Sequence, residues 1–485
     1  MRKIISVILV GLTVSVSLWA EAEKAKVITY PAPQSEKVNS LYTVSVNGQK
    51  LDVYKALSPE YLGAEYYFCY FDFEGDVEVK VKSRNGFHKL VSYTVTDKNK
   101  RAQAGKTLVG EVYPRHIKSK VGLKEVLINA DKPFQAIVIR DERSMPLVIF
   151  GNPIEKDIPK KDDSNVIYFD KGVHYLDKPL RVGDNKTVYI AGGAVVKGGI
   201  FAKGKNITVR GRGILSADNF SRGRIRFAMF DKCENLKVEG VIFKDPVSWT
   251  FTLFQCNKVD IDNIKICASR MINDDAIDIC NSSNVTIKNT FARAQDDIIA
   301  IKGMKWAKPI FKPVENIYIE NCIFWTDRAN VFRIGYECDA EYFKNIKCKN
   351  IYVPYYAAYR KPTEYWSHAI VWLQPTNDMT IENVEIDGLH IRSNGGDMPL
   401  LIAQPRIVHC SKTYGNAKGC TIKNVVVDGK KGAFRGEVFI DGRDDVHSIK
   451  DVNIENVKYF GKKLTPDYKH IFIGKFTENI NLFNK

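Results

Sequence analysis

The sequence of 485 residues has almost no helical periodicity, no C-x-x-C pair and only one long hydrophobic run. Without amphipathic helices, helix bundles and α/β folds have nothing to cover their cores, which leaves the all-β class. The missing cysteine pairs argue against a zinc site, and we expect no metal and no cofactor. Because the hydrophobic run lies at the start of the chain and no second one follows, we expect no membrane insertion.

The N-terminal hydrophobic run has the composition of an export signal. Arg2 and Lys3 precede the apolar stretch Ile4–Ala20, and the letters A-E-A close it at residue 22. This arrangement is typical of a cleaved signal peptide. We therefore predict that residues 1–22 are removed and that the mature protein is secreted or periplasmic.

Charge and cysteine content give weaker indications. Basic residues outnumber acidic ones, 72 to 56, for a formal net charge of +16. This balance suits an anionic polysaccharide, although plain solubility explains it equally well. The basic residues are scattered without a binding motif, which argues against nucleic acid. Most of the 10 cysteines fall within strand patterns, so we interpret them as buried small apolar residues, with one or two disulfides left open.

The chain from residue 23 to about residue 160 has no internal period. Its short apolar runs, separated by turn residues, predict a small β-sandwich domain. The runs are Tyr42–Val46, Tyr66–Phe73, Val77–Val81, Leu90–Val95, Val126–Ile128 and Phe134–Ile139. The aromatic run Tyr66–Phe73 alternates poorly, so we place it in the core or against the next domain rather than in a sugar-binding platform. The polar stretch Asn152–Asn165 marks the domain boundary.

Residues 161–485 carry a strand-only repeat. A corner residue, most often Asn, precedes each apolar strand, with intervals such as the 29 residues from Asn206 to Asn235. A unit of strand and turn cannot bury its own apolar face and must stack on its neighbours, which predicts a parallel β-helix. We expect the corner side chains to hydrogen-bond one another along the stack. We place these corners at Asn206, Asn235, Lys258, Asn284, Asn316, Asn345, Asp378, Gly419 and Val446.

One acidic stretch within this repeat occurs twice. The letters DDAIDI at residues 274–279 return as DDIIAI at residues 296–301, an offset of 22 residues. Stacked coils lie about 4.8 Å apart, so both acidic pairs should reach one surface. Crowded carboxylates raise one another's pKa and keep a proton in the cluster, as acid catalysis needs. We expect Asp275, Asp296 and Asp297 to be catalytic, and Asp274 to be a structural hydrogen bonder.

These acidic motifs resemble those of the polygalacturonase family, glycoside hydrolase family 28. The letters NDD at residues 273–275 are similar to its Asn-Thr-Asp signature and QDD at 295–297 to its Asp-Asp signature, with a family-typical spacing of 21 residues between Asp275 and Asp296. The resemblance covers about residues 165–460 and implies a right-handed, pectin-lyase-like β-helix. It implies that Asp296 is the general acid, while Asp275 and Asp297 hold and deprotonate the attacking water, with inversion at the anomeric carbon.

The chain departs from that family at two signatures. The letters ANV at residues 329–331 stand where the family has Gly-His-Gly, and the Arg-Ile-Lys signature that grips the galacturonate carboxylate is not found on the following coil. Three such aspartates, no Gly-His-Gly and an N-terminal β-sandwich are similar to the dextranase and isopullulanase family, glycoside hydrolase family 49. An anionic galacturonan and a neutral α-glucan both stay open as substrates.

The outward ridge around the acids supplies the predicted substrate contacts. These residues are polar, charged or aromatic: Trp249, Asn273, Asp278, Lys302, Asn330, Arg333, Trp366 and His368. Packing is an equal alternative for the two tryptophans and for His368. Lys302 and Arg333 are candidate contacts for an anionic group, and Arg333 is equally placed for an ion pair with Glu337 or Asp278.

Two other classes of function fit the same fold. A calcium-dependent polysaccharide lyase uses carboxylates to hold the ion and a Lys or Arg to abstract a proton. A non-catalytic β-helix would bind a carbohydrate without cleaving it. The leading prediction remains an exported inverting glycoside hydrolase that acts on a polysaccharide or oligosaccharide.

Overall fold

The computed structural model describes residues 25–58, 65–91, 105–140, 145–223, 225–307, 312–357 and 368–483. The predicted signal peptide, Trp366 and the end of the predicted strand Leu90–Val95 lie outside these residues. Strands are numbered β1 to β43 along the chain. Helical structure in the described part is limited to two 3-10 turns, Gln34–Glu36 and Lys305–Ala307. None of its helices is long and apolar enough to cross a membrane.

Two sheets form the predicted N-terminal sandwich. The first contains β1 Lys26–Thr29, β4 Tyr54–Ala56, β5 Tyr66–Glu74, β9 Glu111–Tyr113, β12 Phe134–Ile139 and β13 Leu147–Pro153. The second contains β2 Tyr42–Val46, β3 Gln49–Leu51, β6 Val77–Ser83, β10 Ser119–Val121 and β11 Glu125–Ala130. A separate hairpin pairs β7 His88–Val91 with β8 Gly105–Leu108. Strand order is β1-β5-β13-β12-β9 in the first sheet and β10-β11-β6-β2-β3 in the second.

Strand β5 is buried on both sides, which explains why its aromatic run does not alternate. One set of its side chains packs in the sandwich core: Tyr67, Cys69, Phe71 and Phe73. The other set packs against the β-helix: Tyr66, Phe68 and Tyr70. Parallel or packed strands with two covered faces need apolar residues at every position. The preference for core packing over an exposed sugar platform is therefore confirmed.

The rest of the chain winds into a right-handed parallel β-helix with three faces, as predicted. The first face contains β14 Val166–Phe169, β17 Thr187–Ile190, β20 Lys205–Gly211, β23 Glu234–Glu239, β26 Asn257–Asp262 and β29 Ser283–Lys288. The second face contains β15 Gly172–Tyr175, β18 Ala194–Lys197, β21 Ile214–Ser216, β24 Ile242–Lys244, β27 Lys265–Cys267 and β30 Phe291–Ala294.

In the later coils single long strands run across the first and second faces. These are β32 Val314–Thr326, β34 Phe343–Val353, β36 Thr380–Asn394, β38 Asn416–Lys430 and β40 Ile449–Tyr459, followed by β41 Lys462–Lys463 and β43 Thr477–Leu482. The third face contains β16 Leu180–Val182, β19 Ile200–Ala202, β22 Ala228–Asp231, β25 Phe251–Phe254, β28 Ile277–Cys280, β31 Ile299–Gly303, β33 Phe332–Cys338, β35 Val371–Gln374, β37 Leu401–Ala403, β39 Val438–Ile440 and β42 Ile471–Ile473.

The corner asparagines form the expected ladder. The amide of Asn235 donates to Asn206 at 2.8 Å, and Asn316 donates to Asn284 at 3.0 Å. Each has a left-handed backbone, such as φ 56° at Asn316, which Asn tolerates better than most residues. The Asn at each of these corners therefore turns the backbone and also bonds the preceding coil through its side chain.

Two of the predicted corners were wrong. Strand register pairs Ile346 with Val384 and Cys420 with Val452, so the corners of those coils are Asn383 and Asp451 rather than Asp378 and Val446. The same short pattern occurs five residues too early in both coils, and only strand pairing separates the copies. The cysteine interpretation fares better, because all 10 thiols are unpaired and nine of them are buried.

The sandwich packs on the second face of the β-helix. Outward side chains of that face, including Ile242, Cys267 and Phe291, join Tyr66 and Phe68 of β5 in one apolar cluster. The third face lies outside this cluster, whereas the turns that lead into it from the second face meet the sandwich where they begin, as Tyr66 does when it donates to Ala268 at 2.9 Å. The duplicated acidic stretch lies in those turns.

Candidate active site

Successive turns from the second to the third face place the acidic pairs next to each other. The backbone N–H of Ala276 donates to the carbonyl oxygen of Asp297 at 2.8 Å, and that of Ile298 donates to Asn330 at 3.0 Å. Asp275, Asp297 and Asn330 therefore stack in one column, one coil apart. The structure brings together the residues that the sequence predicts to act together, while their catalytic role stays a prediction.

Asp274 binds backbone N–H groups of the turns that carry the acidic pairs. Its carboxylate is fully buried and accepts hydrogen bonds from the N–H groups of Ser269 at 2.7 Å, Met271 at 3.3 Å, Gln295 at 2.7 Å and Asp296 at 3.2 Å. Burial raises the pKa of Asp274 well above its ordinary value, and the four donors oppose that shift. Its geometry is that of the structural hydrogen bonder expected from the sequence.

Lys302 lies between two other carboxylates. Its Nζ donates to Oδ2 of Asp275 at 2.8 Å and contacts Oδ1 of Asp278 at 2.8 Å. The ring of Trp249 covers it, with the centroid 3.8 Å from Nζ. Lys302 is 4% exposed, so its charge neutralises the protein's own acids. The ion pairs of Lys302 with Asp275 and Asp278 disfavour a further contact with an anionic substrate, and that contact stays a prediction.

The proton balance of this cluster follows from burial. Burial raises the pKa of Asp275 and raises that of Asp278 well above its ordinary value, while Lys302 opposes both shifts. The two carboxylates raise the pKa of Lys302 well above its own ordinary value against the effect of burial. A proton shared between the carboxyls therefore favours Asp278, and Asp275 keeps the ammonium as its partner.

Asp296 is a carboxyl of the site whose pKa is raised toward neutral pH. It is half-buried, and burial together with the charges of Asp275 and Asp297 raises its pKa to about 7. Neighbouring Asp297 is oriented by Asn330, whose backbone N–H and side-chain amide donate to its Oδ1 at 3.0 and 2.7 Å. The Oδ1 of Asn330 accepts from the N–H of Ala369 at 2.8 Å. The predicted substrate contact of Asn330 is untested, and its amide already orients Asp297.

Arg333 extends from β33 two coils beyond Asp278. Its Nη2 donates to Gln374 at 2.7 Å, and its Cζ lies 4.5 Å from the ring centroid of Tyr336 and 4.4 Å from that of Trp372. Among the described residues it forms no ion pair with Glu337 or Asp278, so that alternative is not realised. The Nε of Arg333 is buried and has no hydrogen-bond partner among the residues that the structure describes.

The remaining predicted contacts lie around this core. Trp249 packs by Met229, Phe254 and Cys280, which gives weight to the packing alternative. Asn273 is exposed with a left-handed φ of 69°, and His368 is half-buried. A substrate contact for each of them stays a prediction.

Several residues of the site were missed from the sequence. Gln374 and Trp372 on β35 of the next coil, and Tyr336 further along β33, orient Arg333. Arg293 and Asp327, which form a buried ion pair behind the acids, were also missed. One signal for the pair was present: Arg293 is a cation inside an otherwise apolar strand, directly before the second acidic pair.

The negative charge of the buried carboxylates is balanced by a side chain of the protein itself. In residues 25–483, with the gaps given above, no group of three or more His, Cys, Asp or Glu side chains is placed to hold an ion. The cation that does lie among the carboxylates is Lys302. Asp275, Asp278 and Lys302 therefore balance charge within the chain.

A comparison with protein families gives a match over part of the chain. Residues 187–327 match the sequence profile described as "Glycosyl hydrolases family 28". The matched segment contains both acidic pairs, which supports a glycosidase. A search of curated proteins found no significant match.

A solved structure extends the similarity of fold over most of the chain. Dex49A from Penicillium minioluteum aligns with a TM-score of 0.65 and 14% identity, covering 94% of this chain and 96% of its own. The hyperthermoactive exopolygalacturonase of Thermotoga maritima aligns with a TM-score of 0.49 and 16% identity over 66% of this chain and 84% of its own. The family 28 exopolygalacturonase of Yersinia enterocolitica gives 0.48 and 12% over 94% and 96%.

Proposed function

We propose that the protein is an exported glycoside hydrolase that cleaves a polysaccharide or oligosaccharide with inversion. The observation that carries the proposal is the grouping of Asp296 with Asp297 beside it and Asp275 on the preceding coil, which together with burial raises the pKa of Asp296 to about 7. A carboxyl that keeps its proton near neutral pH can donate it to a departing glycosidic oxygen. Asp296 is the proposed general acid.

Asp275 and Asp297 are the proposed holders of the attacking water. One oxygen of each carboxylate is already engaged, by Lys302 and by Asn330 respectively. The Oδ1 of Asp275 is buried with no hydrogen-bond partner among the described residues. A buried carboxylate oxygen of this kind accepts a proton from a bound water, which then attacks the anomeric carbon.

Replacement of Asp296 by Asn tests this assignment. The amide keeps the shape of the side chain and cannot donate a proton as an acid, so we expect kcat to fall by at least about 10²-fold to 10⁴-fold. Reducing-end release from a panel of polysaccharides measures the rate, and NMR of the first product gives its anomeric configuration. Unchanged turnover in the variant, or a product with retained configuration, would contradict the proposal.

The two candidate substrates, a polygalacturonate and an α-glucan, differ in charge. A polygalacturonase-like enzyme needs a cation for the uronate carboxylate, and Arg333 is the predicted residue left for it. Lys302 is committed to Asp275 and Asp278, which favours a neutral α-glucan of the dextran type. We propose the α-glucan as the second candidate on that observation. Parallel assays on polygalacturonate and dextran decide between them, and Arg333→Ala should raise KM only for the anionic polymer.

The lyase alternative predicts a different product. Elimination would give an unsaturated, ultraviolet-absorbing end group, and chelation of calcium would abolish it. Hydrolysis gives a saturated product that is unaffected by a chelator. A protein that binds polysaccharide while leaving its chain length unchanged would instead belong to the non-catalytic class.

A further inference from the structure

Buried hydrogen bonds and one contact between an aromatic ring and a guanidinium connect the N-terminal sandwich with the acidic turns. The connection begins at Tyr66 of β5, a fully buried residue whose hydroxyl donates to the carbonyl oxygen of Ala268 at 2.9 Å. Ala268 directly follows β27 and opens the turn that carries Asp275. The sandwich thus holds the start of that turn.

The ring of Tyr66 also covers Arg293 on β30. The Arg293 Cζ lies 4.3 Å from the centroid of Tyr66 and 4.4 Å from that of Trp325. A planar guanidinium between two aromatic rings has few orientations open to it. In this orientation Arg293 donates from Nε and Nη2 to the two oxygens of Asp327, at 2.8 and 3.2 Å.

Asp327 continues the connection toward the acids. Its Oδ2 accepts from the hydroxyl of Ser269 at 2.5 Å, and the N–H of Ser269 donates to Asp274 at 2.7 Å. Asp274 then binds the N–H of Asp296 at 3.2 Å. Apart from Asp296, the residues that form these links are not among the predicted catalytic or substrate-contact residues.

We propose that Tyr66 and Arg293 are positioning residues that hold the two acidic turns at the separation acid–base catalysis needs. This inference rests on the hydrolase function proposed above. A displacement of about 1 Å in a reacting group costs about 10²-fold in rate, so a loosened turn affects catalysis well before it affects folding. The sandwich then affects catalysis without contributing a side chain that contacts the substrate.

A matched pair of substitutions separates positioning from plain interface stability. Tyr66→Phe deletes the hydroxyl bond to Ala268 and keeps the ring over Arg293. Tyr113→Phe deletes an equivalent bond, because the buried Tyr113 hydroxyl donates across the same interface to the carbonyl oxygen of His390 at 2.8 Å. His390 lies in β36, on a later coil than the acids.

We expect similar losses of thermal stability from the two tyrosine variants and different losses of activity. Tyr66→Phe should lower kcat by about tenfold with KM within about twofold, whereas Tyr113→Phe should keep kcat within about twofold. Arg293→Lys retains the charge and loses the two-pronged contact with Asp327, so it should resemble Tyr66→Phe. Equal kcat in the two tyrosine variants would overturn the inference.

A second measurement needs no substrate. Carbon-13 NMR of the aspartate carboxyls should show the titration of Asp296 near its pKa of about 7 in wild type and Tyr113→Phe. In Tyr66→Phe and Arg293→Lys the midpoint should fall, because a loosened turn admits water to the carboxyl. An unchanged midpoint in both variants refutes the positioning role. Wild-type inactivity on every polysaccharide would instead refute the hydrolase function and leave this titration as the test.

Discussion

Replacing Lys302 by Met removes the ammonium that lies between two buried carboxylates. Met has a similar length and remains apolar under the ring of Trp249, so the change removes charge with little loss of volume. Asp275 and Asp278 each lose a contact at 2.8 Å. At an effective dielectric constant of about 20, one such contact corresponds to about 6 kcal/mol before solvation is counted.

The net loss should be smaller and should depend on pH. Breaking a buried ion pair typically costs about 3–5 kcal/mol, and we expect that range for the free energy of unfolding at neutral pH. Without the ammonium, the folded-state pKa values of both carboxyls rise further above the unfolded value of about 4. Protonated carboxyls tolerate burial, so the loss should be small below pH of about 4. It should grow as pH rises through the folded-state values.

Urea unfolding, followed by tryptophan fluorescence at about pH 4 and about pH 8, measures this difference against wild type. Asp278→Asn is the control, because Asp278 already favours its protonated form and the amide imitates it. Adding Asp278→Asn to Lys302→Met should recover at least about 1 kcal/mol at pH of about 8, since the amide removes the free-energy cost of protonating Asp278 on folding. An equal loss at both pH values would show that packing, rather than charge, is what Lys302 contributes.

Four further outcomes are expected. The rate should fall as pH rises through about 7, when Asp296 loses its proton, and Asp297→Asn should move that limb of the kcat profile to lower pH by removing a neighbouring charge. Asn330→Ala should lower kcat by about 10-fold to 100-fold with the secondary structure unchanged by circular dichroism, because it removes the side-chain bond to Asp297 and leaves that carboxylate the backbone N–H alone from residue 330. Asn316→Ala should cost about 0.5–1.5 kcal/mol in urea unfolding through the lost ladder bond. Thiol titration of the native protein should reach Cys410 alone among 10 cysteines, and all of them after denaturation.

The repeated parts of the structure could be predicted from the sequence because they depend on local patterns. A corner Asn, an alternating strand and the next corner recur within one coil, so the β-helix and most of the ladder follow from spacing. The stacking of Asp275 beneath Asp297 follows from the same period. Asp378 and Val446 show the limit of the method, since a short pattern can recur within one coil and only pairing with the next coil selects the true corner.

The partners of charged side chains could not be predicted in this way. Lys302 and Asp278 both point outward from the third face, yet the ring of Trp249 covers Lys302 and both of its ion pairs are buried. Arg293 is buried because β5, more than 200 residues earlier in the chain, packs on the second face. Such contacts depend on turn length and domain packing, which have no periodic signature.

The two-sided burial of β5 also constrains how this chain can be inherited and engineered. A β-helix expressed without the sandwich would expose the apolar side chains of its second face to water. A sandwich expressed alone would expose Tyr66, Phe68 and Tyr70. Recombination that exchanges one half is therefore viable only when both halves carry matching apolar strips. The two units should be gained, lost and swapped together.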